Sequence, residues 1–253
     1  MAKRSKGKSN RSNDTNRDET FGSIEQQING NGKIVITAKN DEQKVMMQTI
    51  ASHDISFVKG APGSGKTYIA VGYALQELMR GRYSRIVFSR PVVEAGGERL
   101  GYLPGDMSEK IDPYMAPIFE TMAQLLPGNI YKKFVGKNVD SVIRILPLAY
   151  MRGISFVNSC IILDEMQNST PEQVRMVLTR FGEGSKMILC GDVRQSDIQR
   201  VNGLRDAFDL LQDVEGIGFC TLTTDAIVRH PIIARIEKKY EERYEANVRN
   251  KTV

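Results

Sequence analysis

Six short apolar runs punctuate the chain: "ISFVK" (55–59), "RIVFS" (85–89), "SVIRIL" (141–146), "CIILD" (160–164), "KMILC" (186–190) and "GFCTLT" (218–223). Each is about strand length and rich in β-branched or aliphatic residues, and between several of them apolar positions recur at helical spacing. Strands alternating with helices predict an α/β fold with a doubly wound, mostly parallel sheet. One helix announces its own start in "NSTPEQVRMVLTRF", where Thr170 can cap, Pro171 suits the first helical position and Gln173 completes a capping box. The stretch after the second run reads as a long loop, and no internal repeat is visible.

Composition narrows this picture. With 253 residues, 41% of them hydrophobic and 26% charged, the chain can bury a substantial core. One domain of about 220 residues plus a tail is the expected division, drawn here as a tail over 1–30 and a domain over 31–253. The first twenty residues carry six basic and three acidic side chains without apolar periodicity, and supply +3 of the formal net charge +5. They read as a disordered basic tail, either an arm reaching for nucleic acid or a solvated solubility tail. Cys160, Cys190 and Cys220 are too few and too far apart for a disulfide framework or a zinc site with paired ligands. The amino terminus lacks an apolar signal region and no apolar run approaches a membrane span. The expectation is therefore a soluble cytoplasmic protein with no membrane partner, from a bacterial cell or a phage-infected one.

The first apolar run leads into "GAPGSGKT", that is Gly60, Ala61, Pro62, Gly63, Ser64, Gly65, Lys66 and Thr67, which matches G-x-x-x-x-G-K-[ST]. A strand before it and a helix after it, running to about Met79, form the setting that a phosphate-binding loop requires. Gly63 and Gly65 let backbone N–H groups turn toward phosphate oxygens at a helix amino terminus. Lys66 would neutralise the β- and γ-phosphates, and Thr67 would hold Mg²⁺ through its hydroxyl. The motif says nucleotide binding without saying which reaction.

Two further strand ends refine it. "SCIILDEMQ" sets Asp164 at the carboxyl end of an apolar strand, where ligands sit in open α/β sheets, with Glu165 directly after it. Asp164 would complete the metal's coordination opposite Thr67. Glu165 would orient and activate a water, which favours hydrolysis over phosphoryl transfer to a small molecule. In "ILCGDVRQSD", Asp192 and Gln195 fall where they can flank the γ-phosphate, Gln195 bonding either phosphate or water.

From about residue 34 to 245 the chain resembles the PhoH-like ATPases, whose core is similar to the first motor domain of superfamily 1 helicases. The segments that carry the likeness are "SRPVVEAGGERLGYLPGDMSEKIDPYMAPIFE" (89–120), "PLAYMRG" (147–153), "IILDEMQNSTPEQVRMVLTRFGEGSKMILCGDVRQSD" (161–197) and "IVRHPII" (227–233). The resemblance implies a RecA-like P-loop NTPase fold, ATP as ligand and Mg²⁺-dependent hydrolysis. It also suggests that Gln43, seventeen residues ahead of Gly60, reads adenine as the helicase Q motif does, the alternative being a plain exposed helix residue. Arg194 and Ser196 depart from the pattern, standing where smaller or more apolar neighbours of the glutamine are expected.

Only 56 residues follow Asp197, enough for one helix, one strand and a final helix. No second motor lobe is expected there, nor an appended nuclease-like domain. An arginine that stabilises transferring phosphate would then come in cis, or in trans from a neighbouring copy, which predicts a homo-oligomeric ring such as a hexamer. Arg229 leads the candidates, followed by Arg152 and Arg90. Tyr102, Tyr114 and Phe119 either stack bases or belong to the core. His53 and His230 lack paired ligand spacing, and His230 before Pro231 marks the start of the last helix. Two functional classes remain open: an ATP-driven motor or remodeller on RNA or single-stranded DNA, and an ATP-dependent switch or assembly protein acting on protein partners.

Overall fold

The computed structural model describes residues 34–91, 107–126, 132, 134–136, 141–197, 201–228 and 230–251, with the side chains of 107–114 and 244–251 excepted. The basic tail, Tyr102 and Arg229 therefore lie outside the described residues, as does the side chain of Tyr114.

In chain order the elements are α1 (Asp41–Ser52), β1 (Ile55–Gly60), α2 (Lys66–Met79), β2 (Arg85–Ser89), α3 (Met107–Leu125), β3 (Val135–Gly136), β4 (Ile143–Ile145), β5 (Ser159–Leu163), α4 (Pro171–Leu178), β6 (Lys186–Gly191), α5 (Gly203–Leu210), β7 (Ile217–Leu222) and α6 (Pro231–Lys251). The strands form one seven-stranded sheet in the order β3-β4-β2-β5-β6-β1-β7, and every pairing is parallel. All six apolar runs are strands, each shifted by no more than two residues at either end. The seventh, β3, has only two residues, too short for a period to register.

Alternation along the strands builds a core on each face. Phe57, Ile161, Leu163, Met187 and Leu189 point to one side, where α4 and α5 cover them with Val174, Val177 and Leu204. Val58, Cys160, Ile162, Ile188 and Cys190 point to the other, under Met46 and Ile50 of α1, Leu75 and Leu78 of α2, and Met115, Ile118 and Met122 of α3. Strands β5 and β6 are buried along their whole length, which is why they read as unbroken apolar runs. Each such aliphatic side chain contributes roughly 1.5–3 kcal/mol by leaving water. This two-faced arrangement is the doubly wound, single-domain P-loop NTPase architecture, and β6 lies between the phosphate-loop strand β1 and the carboxylate strand β5.

The segment read as a long loop after β2 is corrected over Met107–Leu125, where α3 runs for nineteen residues. Pro113 and Pro117 hid it, because a proline withholds a helical N–H. Burial of Met115, Ile118 and Met122 at spacings of three and four holds the helix on the sheet in spite of them. Phe119 packs against the same core, the second of the two roles open to it. The capping box on α4 is present, with both Thr170 and Gln173 side chains bonded to the other's backbone N–H. Residue His230 precedes α6, and its Nδ1 accepts from the Ile232 N–H at 3.3 Å.

Candidate functional site

Three parallel strands, β1, β6 and β5, end side by side and aim their carboxyl ends into one region. Beyond β1 the chain turns through Gly63 (φ 77°) and Gly65 (φ 89°) and enters α2. Residue Gly65 is left-handed and no side chain caps the helix it opens, so the first-turn N–H groups of α2 are left for a ligand. A side chain at Gly65 would be doubly excluded, by its φ and by the Gln43 Nε2, which would lie 2.9 Å from a Cβ. Within the turn, the Ser64 hydroxyl donates to the Ala61 carbonyl at 2.7 Å.

The Lys66 ammonium folds under the loop and donates to the carbonyls of Gly60 (2.7 Å) and Ala61 (2.8 Å). A third N–H remains for a phosphate oxygen. Burial lowers its pKa, opposed by the negative charges around it, that of Asp192 foremost and those of Asp164 and Glu165 further down. Its neighbour Thr67 donates its hydroxyl to Asp164 Oδ1 at 3.1 Å, joining residues 97 positions apart.

The Asp164 carboxylate is 3% exposed. Burial raises its pKa and the Glu165 carboxylate adds to this, while Arg90, the Thr67 hydrogen bond and Lys66 oppose it. A buried acid whose charge is incompletely compensated, touching a threonine hydroxyl at the mouth of a phosphate loop, is an oxygen donor set that fits Mg²⁺. Two protein oxygens cannot complete its octahedron alone; phosphate oxygens and waters would supply the rest.

Residue Glu165 takes a left-handed backbone at φ 54°, costing about 1–2 kcal/mol for a residue with a Cβ. Its carboxylate is held on both sides. Arg90 Nη2 lies 3.2 Å from Oε1, and the Gln167 Nε2 donates to Oε2 at 2.5 Å. Gln167 is 1% exposed and its Oε1 accepts the Asp192 N–H at 3.1 Å, so one buried amide ties the end of β5 to the end of β6. Gly191 makes room for it, since a Cβ there would meet Gln167 Oε1 at 2.4 Å. Sequence reading missed Gln167; the available signal was its position two residues after Glu165.

On the β6 side, Asp192 Oδ1 accepts from the Arg194 backbone N–H (3.1 Å) and from its Nε (3.4 Å). Arg194 also bonds Glu241 of α6 at 2.5 Å, and the other oxygen of Glu241 accepts the Thr224 hydroxyl at 3.1 Å. The departure at Arg194 thus has a physical reason: it bridges the loop after β6 to the final helix. Gln195 is exposed on that loop and faces α6 across a cleft of about 510 Å³.

Gln43, on α1, is 3% exposed beneath the phosphate loop. Its Oε1 accepts the Lys39 N–H at 2.8 Å and its Nε2 donates to the Ser64 carbonyl at 2.9 Å. It is not a plain exposed helix residue; in this arrangement it braces the loop. From the other side, the Val228 N–H donates to the Gly63 carbonyl at 3.2 Å, so the residue next to Arg229 touches the loop of the same chain. Arg152 is exposed at the end of the short 3₁₀ turn Leu148–Met151.

The fold therefore brings Lys66, Thr67, Asp164, Glu165 and Asp192 to one place, with Gln43 below and Gln195 at the rim. A sequence model described as PhoH-like protein matches residues 35–241, most of the chain. The chain belongs to the PhoH-like protein family. It is 41% identical over 209 residues to a PhoH-like protein of Synechocystis, covering 82% of this chain and 62% of that protein. It is 40% identical over 216 residues to one of Bacillus subtilis (85% and 66%), and 36% identical over 207 residues to Protein PhoH of Escherichia coli K12 (81% and 58%). The chain thus spans about 60% of the length of these PhoH-like relatives. Among solved structures, the N-terminal domain of the DNA packaging ATPase from bacteriophage phi29 aligns with a TM-score of 0.43 at 16% identity, over 73% of this chain and 96% of that one. Among the described residues no helix is long and apolar enough to cross a membrane.

Proposed function

We propose that this PhoH-like P-loop NTPase hydrolyses ATP with Mg²⁺ and couples hydrolysis to binding or remodelling of RNA or single-stranded DNA. The observation that carries the first part is the contact of Thr67 with Asp164, with Glu165 adjoining and Lys66 folded beneath the loop. In this reading the N–H groups of Gly63 to Thr67 cradle the phosphates and Lys66 neutralises them. Thr67 and Asp164 would hold the Mg²⁺, which would draw charge from the phosphate oxygens. Glu165 orients a water and takes its proton as the water oxygen bonds to the γ-phosphorus. The bridging P–O bond then breaks to leave ADP and inorganic phosphate. Gln195 senses the γ-phosphate. Gln43 keeps one amide proton and one lone pair for an adenine edge.

Arg229 is the proposed charge-stabilising arginine. Contact of Val228 with Gly63 supports a cis role; a trans role would require a neighbouring copy and a ring. The nucleic-acid part rests on the resemblance to helicase motors and on the basic first twenty residues. A second reading, an ATP-dependent switch acting on protein partners, is favoured by the link from Asp192 through Arg194 to Glu241, which offers a route from nucleotide state to α6. Phosphate release measured with and without single-stranded RNA or DNA separates the two. The motor reading expects stimulation, and an unstimulated rate would favour the switch.

A further inference from the structure

Parallel pairing of β2 with β5 sets Ser89 opposite Leu163, and the Asp164 N–H donates to the Ser89 carbonyl at 3.0 Å. The next residue on the β2 side is Arg90, so the sheet register itself brings this guanidinium to the carboxylate end of β5. There it meets Glu165 Oε1 at 3.2 Å, with Arg90 21% and Glu165 35% exposed. On the opposite side Gln167 holds Oε2, and the backbone of Glu165 is left-handed. Two side-chain tethers and an uncommon φ fix this carboxylate, whereas Lys66 and Thr67 sit on the regular first turn of α2.

A water-activating carboxylate must turn an oxygen to the water and keep a lone pair on it free to take the proton. The Arg90 pair opposes both. We propose that Arg90 is a positioning residue that holds Glu165 in a resting orientation, a brake that a backbone phosphate of single-stranded nucleic acid releases by taking the guanidinium. The choice of phosphate follows from chemistry: the guanidinium fork that grips a carboxylate matches phosphate equally well, and at 21% exposure Arg90 is reachable from solvent. This inference rests on the ATPase reading and deepens it by giving the nucleic acid a means of switching the chemistry on.

The test compares the unmodified chain with Arg90→Ala and Arg90→Lys, measuring ATP turnover and KM with and without oligo(U) RNA or oligo(dT) DNA. Arg90→Ala is expected to raise kcat without nucleic acid by about three- to tenfold, on the scale of one ion pair released. Its KM for ATP stays within about twofold, because the bonds of Lys66 to the loop and of Thr67 to Asp164 do not run through Arg90. Further addition of oligonucleotide then gains nothing. Arg90→Lys, which keeps the charge but not the fork, falls between and guards against misfolding of the alanine variant. A lower kcat at unchanged KM would make Arg90 a group the reaction needs, and an unchanged kcat would make the ion pair idle; either overturns the brake. Absence of turnover in every variant, with ATP still bound, would sink the hydrolase reading and the brake together. Turnover in the unmodified chain that Arg90→Ala fails to raise sinks only the brake.

Discussion

Replacing Gln43 by alanine removes the brace under the phosphate loop and separates two roles for this residue. The Ser64 carbonyl loses its 2.9 Å donor and the Lys39 N–H its 2.8 Å acceptor, at a side chain only 3% exposed. Two net hydrogen bonds at about 0.5–1.5 kcal/mol each, with backbone groups left wanting partners, give a loss of about 2 kcal/mol. For a domain of this size that lowers Tm by about 4–8 °C. The loop itself loosens, because Gln43 Nε2 also packs against Gly65, 2.9 Å from where a Cβ would lie. Affinity for ATP and GTP should therefore fall together by about tenfold, equivalent to about 1.4 kcal/mol. Differential scanning calorimetry gives the first quantity and titration with each nucleotide the second. An added loss of ATP-over-GTP preference would report an adenine contact as well. Unchanged Tm with that preference gone would refute the brace.

Four further outcomes follow from the site and the core. Glu165→Gln keeps size and hydrogen bonding but removes the base, so Mg·ATP binding should persist while turnover falls by about a hundredfold or more; loss of binding would make Glu165 a metal ligand instead. Burial pushes the Cys160 thiol up to about 12, Cys220 up to about 11 and Cys190 well above 9.0, so a thiol reagent at about pH 8 should label none of the three in the native protein and all three in guanidinium chloride. The same shifts make stability decline as pH rises above the ordinary thiol value of 9.0, because there the unfolded chain releases protons that the folded one keeps; a denaturation midpoint that holds level from pH 8.5 to 10.5 would contradict this. Arg229→Ala should lose hydrolysis and retain most ATP binding. Mixed with Lys66→Ala it should stay inactive if the arginine acts in cis, and recovery on mixing would show a trans arginine from a neighbouring copy.

Much of this was legible because the strands are buried on both faces. "CIILD" and "KMILC" are unbroken apolar runs that end in acids or glycine, and those acids mark the carboxyl edge of the sheet where ligands collect. Thr67 and Asp164 were paired from their motifs alone, and their hydrogen bond adds a distance to that pairing. What escaped depended on tertiary contact. Helix α3 was hidden by two prolines although Met115, Ile118 and Met122 carry its period. Gln167 looks like any polar turn residue until the fold sets its amide between Glu165 and the Asp192 N–H. Arg194 was an anomaly until Glu241, 47 residues later, returned on α6 to meet it.

Phosphate release from ATP by the folded chain and by folded Lys66→Ala, each with Mg²⁺ and with the metal chelated, asks whether the loop and its carboxylates hydrolyse ATP. Lys66 supplies the cation that holds the Gly60 and Ala61 carbonyls and that, in the proposed reading, would neutralise the phosphates. The unmodified chain should release phosphate only with Mg²⁺, and Lys66→Ala should lose ATP binding or hydrolysis while keeping its circular dichroism spectrum. An equal rate from a folded Lys66→Ala protein, or release by the unmodified chain without the metal, would contradict the account.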